Sequence, residues 1–367
     1  MTQIITPVMG AFTPVKYSLK LVELLYNDTL YPSITNTNYE GAIKDSGDRV
    51  RVRTAGKISL SAYTKGMELV KQELTPTSED LIIDQQHYFA FGVDDIDKIQ
   101  NDINAISEYA ANSKMDMSTL IDTDILAYMA KGVNSANMVG TAYAAGTVAV
   151  AATTGAVTGD GTTFVAGHVG GIFTVAGLTG SYLVTARTSN TAITIKDLDG
   201  VAYTGGAISA GAAYSIAGAV AITLTKSNVY AYIIALRTAL GKSLSPKAER
   251  FLVVNSGFEG LLLQAPEFIP AVQSAYTDRI VNGLIGTIAG FKIFTSELIA
   301  GDNTTGYFFV AGNKTYCSFA LQIMKTSVIP SESDPNSFIS TCKGLLVWGR
   351  KIFAGNRAHG AVLRATV

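Results

Sequence analysis

LIIDQQHYFAFGVDDIDKIQNDINAISEYAANSKMDMSTLIDTDILAYMAK, residues 81–131, sets two patterns of different period back to back. Leu81-Ile82-Ile83 and His87-Tyr88-Phe89-Ala90-Phe91 alternate loosely and are rich in β-formers, which predicts a strand. From Ile96 the apolar residues recur at steps of three and four, through Ile99, Ile103, Ile106, Ala110, Met117, Leu120, Ile121, Ile125 and Tyr128. That spacing is one face of a helix. No Pro or Gly interrupts it before Gly132. Asp94 or Asp95 is placed to cap its first N–H groups, Asp97 suits the positive end of its dipole, and Lys131 with Gly132 supplies the stop. At a rise of ~1.5 Å per residue the helix would span roughly 55 Å, more than a compact domain requires. Its polar face is too acidic for a membrane and its heptads slip near Ser113 and Asp124, so it reads as a structural spine.

Around this stretch, 367 residues leave room for two or three domains. The chain is 48% hydrophobic and 16% charged, with a formal net charge of −1. That balance makes no global electrostatic case for a nucleic-acid binder. Cys317 and Cys342 fit two buried thiols in a reducing compartment, with a bridge between them left open. No secretory signal is expected, because the first residues lack a charged segment followed by an apolar one. The uncharged windows 132–159 and 201–225 consist of Ala, Gly, Thr, Ser and Val. They lack the apolar mass of a membrane helix and read as β-rich.

Upstream, residues 1–14 read as an extended arm, and Thr13-Pro14 starts a short helix with Tyr17, Leu21, Leu24 and Leu25 on its apolar side. Arg49-Val50-Arg51-Val52-Arg53 alternates three arginines with two valines, as a strand with two unlike faces would. Lys57–Leu60 continues it, Tyr63–Gly66 turns, and Glu68–Gln72 returns, giving a long hairpin whose outer part has little core of its own. An isolated hairpin is marginal in water, so this one is expected to lean on something else. The arginine face is either a solvated edge that resists aggregation or a contact for an acidic partner.

Charge is distributed in blocks. Residues 1–72 hold nine Lys/Arg and six Asp/Glu, 73–130 hold twelve Asp/Glu and two Lys, and 340–367 hold five Lys/Arg and no acids. Such blocks suit head-to-tail docking of identical copies, and equally suit pairing inside one subunit.

Downstream of the spine, residues 140–221 hold fifteen of the 35 glycines and only five charges, Asp160, Arg187, Lys196, Asp197 and Asp199. Short apolar pieces alternate with turns about every ten residues, which predicts a small β-sandwich or barrel inserted into a mixed α/β chain. The mixed pattern then resumes, with a helix over 228–240, a strand over 250–254, a helix through Gln264, a strand pair within 285–294, and strands at 307–310, 315–320, 344–349 and 361–363.

No enzyme is expected. His87, His168 and His359 lie far apart and outside any ligand spacing, and each reads as structural. Leu240-Gly241-Lys242-Ser243 ends like a phosphate loop but has Leu236 where Gly belongs. Asp197-Leu198-Asp199-Gly200 resembles a calcium loop without its downstream Glu and reads as a β-turn. Ser256 lacks the glycine two residues before it that a nucleophile elbow requires. No metal or other cofactor is expected.

Tyr88-Phe89-Ala90-Phe91-Gly92-Val93-Asp94-Asp95-Ile96-Asp97-Lys98 resembles the approach to the spine helix in the major capsid proteins of tailed bacteriophages. Other pieces fall in that family's order: Asn38-Tyr39-Glu40-Gly41 and Gly47-Asp48 before the hairpin, Ile288–Ile293, Cys317–Gln322, and Lys343–Gly349. The resemblance covers residues 1–138 and 222–367, and the segment 140–221 departs from it. It implies an α+β chain with the Johnson fold (the Hong Kong phage capsid fold). An N-terminal arm and short helix would occupy 1–46, an extended loop 47–80, a peripheral domain with the spine helix 81–139, the inserted β-barrel or sandwich 140–221, an axial domain 222–330, and closing strands 331–367.

The resemblance further implies a coat protein that assembles in the host cytoplasm, as pentamers and hexamers, into an icosahedral virion shell around double-stranded DNA. Expected partners are other copies, a scaffolding protein, a portal, a decoration protein and non-specifically packaged DNA, with no membrane. Each hairpin is then expected to lie over a neighbour, Arg49, Arg51, Arg53 and Lys57 facing acids such as Glu79, Asp80 and Asp84. The alternative is a β-rich tail or adhesin component with 140–221 as its binding module.

Overall fold

The computed structural model describes residues 29–39, 49–54, 58, 60–69, 71–73, 76–94, 105–266, 286–330 and 339–367. The arm, the helix expected at Thr13, and Lys57 lie outside them. The first described element is a helical turn, Tyr31–Ile34. Its backbone N–H groups at Leu30 and Tyr31 donate to the buried Asp122 carboxylate at 2.9 and 2.8 Å, so a side chain of the long helix satisfies the start of the short one.

Strands β1 (Arg49–Thr54) and β2 (Thr77–Ile82) pair antiparallel, with Arg51 opposite Asp80 and Val52 opposite Glu79. The arginines point to solvent. Val50 and Val52 pack against Leu81, Ile83, Ala320, Val347 and Phe353. The return strand is therefore 77–82 rather than the expected 68–72. The described residues between 58 and 73 form no strand, only a turn at Lys65-Gly66. They have no register to hold, because nothing packs on either face: Leu60 is 97% exposed and Leu69 77%.

Strand β3 (Gln85–Asp94) follows after a break at Ile83-Asp84. It runs through Asp94, which pairs with Ile339; the helix start expected at Asp94 or Asp95 lies outside the described residues. The described part of the long helix is Ala105–Lys131, 27 residues, or ~40 Å. Met117, Ile121, Ile125 and Met129, with Leu126 and Ala130, are its buried stripe, while Leu120, expected in the core, is exposed. Gly132 ends the helix for a packing reason: a Cβ there would lie 2.3 Å from Ile352 Cδ1.

A two-residue strand β4 (Met138–Val139) leads into β5 (Thr141–Tyr143), β6 (Thr147–Val150), β7 (Ala156–Asp160), β8 (Ile172–Val175), β9 (Tyr182–Ser189), β10 (Ala192–Asp197), β11 (Ile208–Ala212) and β12 (Tyr214–Val220). The last eight form one antiparallel sheet in the order β11-β6-β7-β10-β9-β8-β12-β5. It has its own core, with Val148, Val157, Phe164, Phe173, Val184, Ile193, Ile195 and Tyr214 among the buried residues.

The chain returns through β13 (Ile222–Thr223) and the helix Val229–Lys242 to β14 (Arg250–Val254), whose five residues are all buried. Asn255 caps the next helix, Ser256–Leu263, by accepting from Phe258 N at 2.9 Å. Strands β15 (Thr287–Ile288) and β16 (Phe291–Thr295) make a hairpin whose turn residues Ala289 and Gly290 both have positive φ, the conformation that matches strand twist in two-residue turns. Then come β17 (Tyr307–Asn313), β18 (Ser318–Ile329), β19 (Ile339–Lys351) and β20 (Gly360–Thr366).

Strands β13-β20-β17-β14-β16-β15, with β4 beside β20, make a seven-stranded sheet, and β18-β19-β3 a three-stranded one. Thus β18 joins β3 while β20 joins the sheet of β14, so strands cross the boundary drawn from sequence at 330/331. One main core runs beneath both sheets and the long helix.

Candidate assembly surface and module junction

The hairpin root carries most of the residues singled out for charge. Arg51 Nε and Nη2 donate to the two Asp80 carboxylate oxygens at 2.8 and 3.0 Å, and Arg49 Nη1 lies 3.8 Å from Asp80. The hydrogen bond from Arg51 holds the Asp80 carboxyl below its ordinary range. Glu79 accepts from Ala354 N at 3.1 Å, tying the root to the turn after β19. Asp84 is exposed between β2 and β3, and Arg53 is exposed on the outer face. Structure therefore gathers Arg49, Arg51 and Asp80 within one chain, with Glu79 and Asp84 nearby. The basic C-terminal block also turns inward: Arg350 pairs with Asp124 at 2.5 Å, and Lys351 and Arg357 pair with Asp199.

Beyond the root, the hairpin tip presents Ile58, Leu60, Tyr63, Met67 and Leu69, all exposed. A second apolar surface lies on the outer face of β3 and β19, where Tyr88, Phe89, Ala90, Ile329 and Leu345 line a groove of about 550 Å³.

The eight-stranded sheet joins the body at one point of the seven-stranded sheet. Met138 and Val139 pair in parallel with Val362 and Leu363, and Ile222 and Thr223 pair in parallel with Ala365 and Thr366. β4 and β13 thus lie end to end along β20, as two halves of one edge strand opened to admit residues 141–220. The two paths run so close that a Cβ on Gly140 would lie 2.8 Å from Gly218 Cα. The buried Arg364 locks this junction. It donates to Gly218 O at 2.9 Å and to Thr305 O at 2.8 and 3.1 Å, and its guanidinium sits 4.9 Å from the Phe308 ring centre.

Docking extends further. Ile172, Leu183 and Leu198 of the sheet are buried in the main core rather than their own. Beside Leu198, Asp199 accepts from Lys351 Nζ at 2.6 Å and from Arg357, and the Tyr128 hydroxyl is 3.4 Å away. Burial raises the Asp199 carboxyl, but Lys351 and Arg357 outweigh it and the group titrates below its ordinary range. Asp124, beneath Arg350, is pushed up by burial. The sequence identifies 197–200 as a turn, and Gly200 N donates to Asp197 O at 2.8 Å. The charged role of Asp199 was invisible there, because its partners lie more than 150 residues away.

Residues with catalytic potential are dispersed. His87 stacks on Trp348 with ring centres 5.1 Å apart, His168 is buried beside Tyr143, and His359 contacts Thr315 Oγ1 at 3.0 Å. Both cysteines are free and buried, and burial pushes the Cys317 thiol up to about 12. Among the described residues no group of His, Cys, Asp and Glu is placed to hold a metal, and no helix is long and apolar enough to cross a membrane.

The mixed α/β architecture, with several sheets and few helices among the described residues, matches the fold of phage capsid structures. The chain is similar to a Mycobacterium phage Che8 structure at 18% identity, covering 96% of this chain and 97% of that one, with a TM-score of 0.64. It is similar to the capsid structure of cyanophage P-SCSP1u at 11% identity, 97% and 94% coverage and a TM-score of 0.59. It is also similar to a chain of the bacteriophage PhiM1 mature capsid at 12% identity, 100% and 97% coverage and a TM-score of 0.56. At these identities the likeness is one of fold.

Sequence adds a family match: a model described as phage capsid protein matches residues 182–362, just under half of the chain. No curated protein matches its sequence. The matched span opens at the first residue of β9. The second half of the eight-stranded sheet therefore lies within it, and the segment read from sequence as a departure from the family is in part shared by it.

Proposed function

We propose that this chain is the major coat subunit of a tailed phage, a structural protein without catalytic activity. It assembles in the host cytoplasm as pentamers and hexamers into an icosahedral shell around double-stranded DNA, with a scaffolding protein, a portal and a decoration protein as further partners. The observation that carries this reading is the hairpin tip. Five large apolar side chains are exposed there with no core beneath them, and a monomer gains nothing from such a surface. Burial against a neighbouring copy gives it a reason. At the root, Arg49, Arg51, Arg53 and Lys57 meet the neighbour's Glu79, Asp80 and Asp84, the Arg51–Asp80 pair of each chain contributing to a mixed-charge strip. Residues 141–220 are a module spliced into an edge strand of the axial sheet, which is why the body fold survives around it.

Electron microscopy and light scattering of the purified chain test this. Closed shells or five- and six-fold rings are expected. Replacing Arg49, Arg51 and Arg53 together by Glu is expected to abolish them while circular dichroism stays unchanged. A chain that remains small in the presence of phage lysate, or forms trimers or fibres, contradicts the reading, and unimpaired shells from the triple variant contradict the contact.

A further inference from the structure

The C-terminal corner of the body gathers three cations, of which Arg350 pairs with an acid of the body and Lys351 and Arg357 pair with an acid of the module. Arg350, Lys351 and Arg357 come within one turn of chain around Ile352–His359. Of the acids on the body, Asp124 takes Arg350 at 2.5 Å. Lys351 and Arg357 both pair with Asp199, which belongs to the eight-stranded module. All three side chains are mostly buried, about a quarter exposed or less. Tyr128 of the long helix joins the two pairs: the Arg350 guanidinium lies 4.8 Å from its ring centre, and its hydroxyl reaches toward Asp199 and accepts from Ile352 N at 3.4 Å. A cavity of about 210 Å³, lined by Asp80, Asp84, Tyr128, Asp199, Arg350 and Lys351, lies over the network.

We propose that the module's turn Asp197–Gly200 is a clamp that closes this corner, with Asp199 as a positioning residue supplying the carboxylate that pairs with both Lys351 and Arg357. Two half-buried cations beside a third repel one another until the module docks. The final turn of β19 and the segment Ala354–His359 then order only on a folded module. The module's own core is built from its own residues.

The test is hydrogen exchange on the purified full chain, read at Ile352–His359 and at the module strand Ala192–Asp197. Asp199→Asn is expected to speed exchange at 352–359 tenfold or more and leave 192–195 within twofold. Asp160→Asn, an exposed acid of the same sheet, serves as the control and is expected to change neither. Adding Lys351→Met to Asp199→Asn removes one of the two orphaned cations and the repulsion between them, and is expected to bring 352–359 back to within threefold of the parent. If Asp199→Asn alone does not fold, recovery of the fold by Lys351→Met supports the clamp and failure to recover overturns it. Exchange at 352–359 that matches the Asp160→Asn control, or Lys351→Met making matters worse, also overturns it.

Discussion

The eight-stranded module and the hairpin both leave the same body, and they hold themselves up in opposite ways. The module buries Phe164, Phe173, Ile193, Ile195 and Ile216 completely or nearly so in a core of its own, then docks with Ile172, Leu183 and Leu198. The hairpin has two half-buried valines at its root and nothing beneath its tip. The two segments differ in what they can do as free subunits. One is folded by its sequence, while the other has a defined conformation only near the residues that touch the body. The module has a core of its own and the hairpin tip has none.

The largest effect that would sharpen this contrast is in the module core. Phe173→Ala removes a fully buried ring stacked on Tyr214 and is expected to cost about 3–5 kcal/mol. Urea denaturation of the unassembled chain would show it, and a loss below about 1 kcal/mol would mean that the module does not depend on this core.

Next in size is an acid limb that belongs to the docking rather than to either core. The folded-state carboxyl of Asp199 lies below its ordinary value of 3.8, so its stabilisation is present above that value and lost as pH falls through the folded one. Asp199→Asn is therefore expected to flatten the decline of stability below about pH 4, as measured by thermal melts across the acid range. Asp122 and Asp124, raised by burial, act in the opposite sense in both proteins and cancel in the comparison. An unchanged acid limb would show that Asp199 is not an ion-pair partner in solution.

The smallest effect is expected at the hairpin tip. Leu60→Ser is expected to change the stability of the free chain by no more than about 0.5 kcal/mol, while the yield of shells falls. A clear loss of stability in the free chain would mean that the tip is covered within its own subunit.

Local pattern revealed the segments and missed their long-range partners. The spacing of Met117, Ile121 and Ile125 fixed the buried side of the long helix, and glycine turns every ten residues marked the module. Alternating Arg and Val gave the two faces of β1 correctly. The pairing that extends β3 to Asp94 was not legible, because its partner, Ile339, lies far along the chain. The return strand was misplaced for the same reason: Glu68–Gln72 alternates no worse than 77–82, yet only the latter has Phe353 and Val347 to pack near. The basic block at 340–367 suited docking between copies and pairing inside one subunit equally, and Asp124 and Asp199, each remote in sequence, draw Arg350, Lys351 and Arg357 inside. Gly132 stopped the helix as expected, but through the close approach of Ile352 rather than a left-handed cap.

The most direct measurement is hydrogen exchange on free subunits and on assembled shells of the same chain. Amides of residues 58–73 are expected to exchange without protection in free subunits and to slow by a hundredfold or more in shells, while those of 192–197 are slow in both. Protection of 58–73 that is already present in free subunits, or that never appears on assembly, would contradict the account.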